Sequence, residues 1–95
     1  MNIEDVREYC LSKKGVTESF PFDATTLVFK VLGRIFLLTD LESEFSINIK
    51  CNPDLAVELR ERYDCVEPGY HMNKTCWNTV LIDGDIPDSE LYRWI

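Results

Sequence analysis

The clearest pattern of apolar and polar positions in this chain is a strict alternation between residues 44 and 50. The apolar positions are Phe45, Ile47 and Ile49, and the polar positions between them are Ser46, Asn48 and Lys50. A period of two predicts a strand with one buried face and one solvated face. Runs rich in Val, Phe, Ile and Leu at 26–31 and 34–40 predict two more strands. Leu32–Gly33 joins them as a hairpin, with Gly33 supplying the positive φ.

Helical spacing of apolar residues and typical capping residues predict three helices. The first has its apolar positions at Ile3, Val6 and Cys10. Asn2 is placed to cap this helix, and Gly15 is placed to end it in a left-handed conformation. Asn52 and Pro53 are typical of a helix start and predict a second helix over 53–64. The last helix begins at Pro87–Asp88 and stops at Ile95.

The order of these elements predicts a single α+β domain over residues 1–95. A strand or a hairpin follows the second helix, with a strand at 76–82 that Asp83–Gly84 turns. The expected architecture is a two-layer fold, an antiparallel sheet with helices packed on one face. The uncovered face is expected to carry Lys30, Ser46, Asn48 and Lys50. We expect Phe20-Pro21-Phe22, where proline excludes a helix, to plug one end of the core.

The net charge of −7, from 10 basic and 17 acidic residues, changes the picture of possible partners. It disfavours non-specific nucleic-acid binding, which depends on Lys and Arg at phosphates. The charge is unevenly spread, however, since residues 46–80 carry a net charge of only −1. No apolar run is long enough to suggest a membrane span, and no signal peptide is visible at the N-terminus. We therefore expect a cytoplasmic protein, a monomer with no membrane association.

The four cysteines are Cys10, Cys51, Cys65 and Cys76, and no pair has the spacing of a zinc or redox motif. We expect four free thiols and no bound metal or other cofactor. The acidic residues between 83 and 90 lack the spacing of a calcium loop. Arg60 and Arg62 alternate with acidic residues, which predicts a solvated helix face with a Glu58–Arg62 ion pair.

The stretch from Pro68 to Val80 holds the only histidine and one of the two tryptophans. It belongs with two other blocks of the chain. The first block is Phe20–Phe22 with Val28–Val31, Gly33 and Phe36; the second is Cys51, Pro53, Ala56, Leu59–Arg60 and Tyr63. The third is Pro68–Lys74 with Trp77–Val80, then Asp83–Gly84 and Pro87–Asp88. With these three blocks the chain resembles the MmcQ/YjbR family of small bacterial proteins.

The resemblance implies a frataxin-like fold and DNA binding, by similarity to a double-wing motif. Both are expectations, because a fold does not determine a function. The chain departs from the family pattern at Cys76, where family members commonly have histidine. The departure weakens the idea of a two-histidine metal site.

Trp77 has two interpretations that the sequence leaves open. It is either a core tryptophan or a residue of the uncovered sheet face. In the second case it lies near Lys30 and Lys50 and offers a stacking platform for a base or an arginine. His71 is a candidate metal ligand or general base, and with Cys76 a candidate nucleophile–base pair. No further ligand, orienting group or oxyanion donor can be named for these roles, so we do not expect an enzyme.

Two functions remain for the uncovered face and the 68–79 segment. The first is a DNA-binding or regulatory module that binds weakly. Its contacts would be Lys30, Lys50, His71, Lys74 and Trp77. The second is a protein-interaction or small-ligand adaptor with no nucleic-acid role, which the net charge suits better.

Overall fold

The computed structural model describes residues 2–42, 45–69, 73, 75–82 and 86–95. Within these ranges the chain forms three helices and six strands. In chain order they are α1 (Ile3–Ser12), β1 (Val16–Ser19), β2 (Thr26–Val31), β3 (Arg34–Asp40), β4 (Ser46–Lys50), α2 (Pro53–Arg62), β5 (Val66–Pro68), β6 (Trp77–Leu81) and α3 (Asp88–Trp94).

The strands in the described part of the chain form one antiparallel sheet with the order β1-β2-β3-β4-β6-β5. The first four strands are a meander, and β5 and β6 extend the sheet beyond β4 as a hairpin. All these connections are between neighbouring or nearly neighbouring strands, which is typical of antiparallel sheets. The α+β prediction is therefore confirmed.

Cross-strand pairing assigns each side chain to one of the two sheet faces. The row that faces the helices runs through Phe29, Leu37, Ile49 and Asn78. The adjacent row, on the opposite face, runs through Val28, Leu38, Asn48 and Thr79. We call this opposite face the open face. The prediction that Ile47 and Ile49 point toward the helices, with Asn48 and Lys50 on the other face, is confirmed.

One hydrophobic cluster fills the space between the sheet and the helices. Each helix contributes to it: Val6 and Cys10 from α1, Leu59 from α2 and Leu91 from α3. The buried strand residues of this cluster all come from the face described above, so the three helices cover the same side of the sheet. This is the two-layer arrangement that the order of the elements predicts. Position 44 of the alternating segment lies outside the described residues.

The helix starts follow the predicted capping chemistry. The Asn2 side chain accepts a hydrogen bond from the backbone N–H of Asp5, and the Asp5 carboxylate accepts one from the Asn2 N–H. This reciprocal pair satisfies two of the free N–H groups at the start of α1. At α2 the Asn52 side chain accepts from the N–H of Asp54, with Pro53 at the first helical position.

The β2–β3 turn has a second residue with positive φ that the sequence does not indicate. Gly33 has a φ of 81°, as expected, and Leu32 has a φ of 51°. Positive φ at both central positions is the requirement of a type I′ turn, which favours Asn-Gly. Leu32 therefore carries backbone strain at a position where its side chain is 88% exposed.

Two expectations about local structure differ from the observed fold. Phe20 and Phe22 are 47% and 66% exposed, so they do not plug the core. The loop that holds them follows β1 at the edge of the sheet. β1 is absent from the sequence prediction, because it is an edge strand with a single apolar residue. β5 pairs with β6, so the hairpin that was one of the two possibilities after the second helix is the one that forms. The expected turn at Asp83–Gly84 lies outside the described residues.

Candidate binding surface on the open sheet face

Three of the five contacts that the sequence predicts lie together at one end of the open face. Lys50 ends β4 and pairs directly with Trp77, the first residue of β6. Lys30 lies on β2, and β3 separates it from β4. Two strand spacings of about 4.8 Å put the backbones of Lys30 and Lys50 roughly 10 Å apart. The other two predicted contacts, His71 and Lys74, lie outside the described residues.

The side chain of Trp77 is on the open face and is nevertheless buried. Its neighbour Asn78 points toward the helices, so strand alternation directs Trp77 to the opposite side. Only 8% of Trp77 is exposed, and it does not belong to the core cluster under the helices. Trp77 is therefore buried, as the first interpretation from the sequence has it, and lies on the uncovered sheet face, as the second has it. An exposed stacking platform, however, is absent at this position.

The centre of the open face combines buried apolar residues with a polar pair. Val28 is fully buried and Leu38 is 9% exposed, although no helix in the described part of the chain packs on this side. Beside them the Thr79 hydroxyl donates a hydrogen bond to the side-chain oxygen of Asn48. The centre is thus well packed, and the charged groups stand at its margins.

Positive charge is concentrated at the end of the sheet that contains the β2–β3 turn. The row Val16, Val31 and Arg34 crosses this end of the sheet, and the last turn of α1 leads into it. We call this region the basic end, and it contains Lys13, Lys14, Lys30, Arg34 and Lys50. Three stretches, 9–17, 24–39 and 45–53, supply these cations and contain no acidic residue.

The opposite end of the sheet is acidic. Asp40 ends β3 there, paired with Thr26, and Glu42 follows it. Asp23 lies in the adjoining loop, where its carboxylate accepts hydrogen bonds from the N–H groups of Thr25 and Thr26. These bonds, the one from Thr25 first, lower the pKa of Asp23. The net charge of −7 therefore conceals a molecule with a basic end and an acidic end.

Sequence reasoning missed a buried polar network behind the basic end. Arg60 is half-buried, and its Nε donates to Oδ1 of Asn78 at 2.6 Å. Asn78 is fully buried and donates from Nδ2 to the carbonyl of Ala56 at 3.1 Å. Arg60 also donates to the Trp77 carbonyl at 3.3 Å. The network ties α2 to the first residues of β6.

The expectation that Arg60 belongs to a solvated, salt-bridged face is therefore wrong. The acidic residues around Arg60 in the sequence do not indicate that its side chain hydrogen-bonds to the buried Asn78. Arg62 does lie on the exposed side, but over the ring of Tyr63 at 5.4 Å from its centroid. The expected ion pair with Glu58 does not form.

Metal binding and thiol reactivity depend on how side chains are grouped and buried among the described residues. Within them, no three His, Cys, Asp or Glu side chains lie close enough together to hold a metal ion. Burial raises the pKa of the Cys10 thiol to about 12, so this thiol stays protonated at neutral pH. None of the described helices has the length and apolar character that a membrane span requires. A cavity of about 270 Å³ lies near the basic end, lined by Lys13, Val16, Val31, Phe36 and Ile95.

The fold and the open face together define a small α+β protein with a basic-ended sheet surface. Comparison with family models gives a match to YjbR over residues 11–95. The protein YjbR of Escherichia coli K12 is 34% identical over 93 residues, which cover 97% of this chain and 79% of that protein. YyaQ of Bacillus subtilis is 35% identical, with 97% of this chain and 90% of that protein covered. The chain belongs to the YjbR family.

Two solved structures share the fold of this chain. The crystal structure of Deinococcus radiodurans protein DR2400, described by its domain family DUF419, matches with a TM-score of 0.92 and 36% identity. The match covers 98% of this chain and 72% of that one. A Pseudomonas syringae protein matches with a TM-score of 0.80 at 24% identity, which shows the shared fold alone.

Proposed function

We propose that the protein is a non-enzymatic binding module that holds the phosphate backbone of a nucleic acid at the basic end of its open face. The observation that carries the proposal is the collection of five cations, from three stretches without acidic residues, at one end of the sheet. Such a cluster attracts a polyanion locally even though the whole chain carries −7.

Lys30 and Lys50 are the central contacts in this proposal, because they stand on the open face itself. Lys14 and Arg34 are exposed at the same end of the sheet. Arg34 pairs with Val31 in a row of the helix-covered face, so these two cations extend the cluster around the β2–β3 turn and beyond the open face. Because Trp77 is only 8% exposed, its proposed role is to support Lys50, its cross-strand partner, rather than to stack on a base. His71 and Lys74 remain proposed contacts from their sequence positions.

The proposed binding is weak, depends on salt and has little sequence preference. Phosphate contacts supply affinity without reading bases, and the described part of the open face offers no exposed aromatic ring at Trp77 for stacking. A tenfold rise in salt lowers the logarithm of the binding constant by roughly 0.7–0.9 for each phosphate that the protein contacts.

The second candidate function is an adaptor that binds an acidic segment of a protein at the same surface. The buried position of Trp77 favours it, because the nucleic-acid proposal loses its stacking contact. Both candidates use the same cations. They differ in whether the ligand needs a sugar–phosphate backbone or only carboxylates.

The test is an NMR titration of the full chain at about 50 and 200 mM salt. The probes are a short single-stranded DNA, a DNA duplex and polyglutamate. We expect DNA to shift the amide signals of Lys30, Lys50 and Arg34, and the shifts to shrink at the higher salt. Polyglutamate binding without DNA binding would support the adaptor instead. Perturbations confined to α2, or none with any probe, would exclude this surface.

Matched variants locate the contact. Lys50→Ala should weaken DNA binding for all sequences alike and reduce the salt slope by about one unit. Arg62→Ala removes the same charge from the exposed side of α2 and serves as the control. Equal losses in the two variants would mean that only the overall charge matters.

A further inference from the structure

The end of the β4–β6 ladder brings together two cysteines that are far apart in the sequence. The ladder ends at the pair of Lys50 with Trp77, so the next antiparallel positions are Cys51 and Cys76. The Cys51 N–H donates to the Cys76 carbonyl at 2.8 Å, which shows that the two backbones are still adjacent there. We propose that Cys51 and Cys76 form a reversible disulfide and make this point of the fold an oxidation site.

The backbone spacing suits such a bond. Directly opposite residues that share a ladder hydrogen bond have Cα atoms about 5.5 Å apart, inside the range of roughly 4.4–6.8 Å that disulfides span. Both side chains lie on the same side of the sheet, because each is two positions from a residue that faces the helices, Ile49 and Asn78. Both cysteines are half-buried, so a small oxidant reaches them.

The position just past the strand ends allows the small approach that the bond requires. Opposite Cβ atoms in a ladder are about 4.5–5.5 Å apart, and hydrogen-bonded pairs such as this one lie toward the upper end, farther than the roughly 3.5–4.5 Å within a disulfide. The Cys76 N–H does not complete the ladder, and instead donates to Asn73 at 3.4 Å. A bond made under slight strain is easily reduced, which is the property of a labile, regulatory disulfide.

The surroundings distinguish this pair from the other two thiols. Burial raises the pKa of Cys51, the nearby Arg60 guanidinium opposes that rise, and Cys76 adds to it. Cys10 is fully buried in α1 and Cys65 is 9% exposed, so neither is comparably accessible.

The reaction needs an oxidant of the class of small-molecule disulfides. One cysteine thiolate attacks a sulfur of the oxidant, forms a mixed disulfide and releases one small thiol. The second cysteine thiolate then attacks the protein sulfur of the mixed disulfide and releases the second small thiol. The two cysteine sulfurs are oxidised, and their two protons end on the released thiols. The product fixes the residue that follows β4 to the residue that precedes β6.

The experiment treats the reduced full chain with glutathione buffers of increasing oxidised fraction, then alkylates and digests it with trypsin. Cleavage after Lys and Arg puts the four cysteines on four separate peptides: 8–13, 51–60, 63–74 and 75–93. We expect the intact protein to lose two hydrogen atoms and peptides 51–60 and 75–93 to appear linked. Dithiothreitol should restore both.

Variants complete the test. Cys76→Ser should leave Cys51 as a mixed disulfide with glutathione, and the double variant Cys10→Ala/Cys65→Ala should still form the link. If the double variant does not fold, the peptide map of the natural chain alone decides. A link between any other pair, or only glutathione adducts in the natural chain, would overturn the proposal.

Discussion

The two faces of the sheet bury side chains in different ways. Leu37 and Leu38 are adjacent in β3 and illustrate the difference. Leu37 is fully buried under the helices, within the core cluster, whereas Leu38 is 9% exposed on a face that no described helix covers. The covered face is packed against a second layer, and the open face is packed mostly among its own neighbours. Burial alone therefore does not distinguish core from surface in this protein.

Truncating the two leucines gives the sharpest test of that difference. Leu37→Ala should reduce the free energy of unfolding by roughly 2–5 kcal/mol, because it leaves a cavity between sheet and helices. Leu38→Ala removes the same atoms from the open face, where neighbours relax into the space, and should cost about half as much. Chemical denaturation measures both. Equal losses would mean that the open face is a second core.

The buried asparagine gives the next largest effect. Asn78→Ala should lower the free energy of unfolding by about 2–3 kcal/mol, because the Arg60 guanidinium loses its buried acceptor. The matched control is Asn48→Ala on the open face, which breaks only the hydrogen bond from Thr79 and should cost about 1 kcal/mol or less. If both variants unfold at the same denaturant concentration, the network under α2 stabilises the protein no more than the hydrogen bond on the open face does.

Leu32 extends the leucine comparison to a position on neither face. It is 88% exposed and has a φ of 51°, so it carries strain without the benefit of burial. Leu32→Asn should raise the free energy of unfolding by roughly 0.5–1 kcal/mol, since asparagine tolerates positive φ. Gly33→Ala, at a φ of 81°, should lower it. A neutral or destabilising Leu32→Asn would show that the side chain makes contacts that offset the strain.

The smallest expected effect on stability comes from removing one glutamate charge from either face of the sheet. Glu18 of β1 is held by Arg7 of α1 through two contacts of 2.7 Å, on the helix-covered side. The hydrogen bond from Arg7 lowers the pKa of Glu18. A lowered pKa means that this stabilisation is complete above the unfolded-state pKa of about 4.3 and is lost as pH falls through the lower folded-state pKa.

Glu18→Gln should therefore destabilise the protein slightly at pH 7 and not at all in strong acid. Glu67→Gln is the open-face control, because Glu67 makes no ion pair within the described part of the chain. Thermal unfolding followed from pH 7 down to about pH 2 measures both variants. The same difference from the natural chain at every pH would contradict the role of the Arg7 pair.

The amino-acid sequence by itself determined the local elements of this protein. The predicted strands 26–31 and 34–40 match β2 and β3, and Asn52 and Pro53 start α2 as their chemistry indicates. The alternation at 44–50 also assigned Ile47 and Ile49 to the helix side. These features depend on neighbours within a few residues, where backbone preference and side-chain period act directly.

Only the tertiary structure decided the features that depend on which strands become neighbours. β1 has one apolar residue in four and exists because β2 offers it a ladder. Trp77 is buried on the open face, and Arg60 turns under α2, because β6 pairs with β4 beside that helix. The backbones of Cys51 and Cys76 are adjacent for the same reason. Long-range pairing obeys the register of the whole sheet, and no short stretch of sequence contains that information.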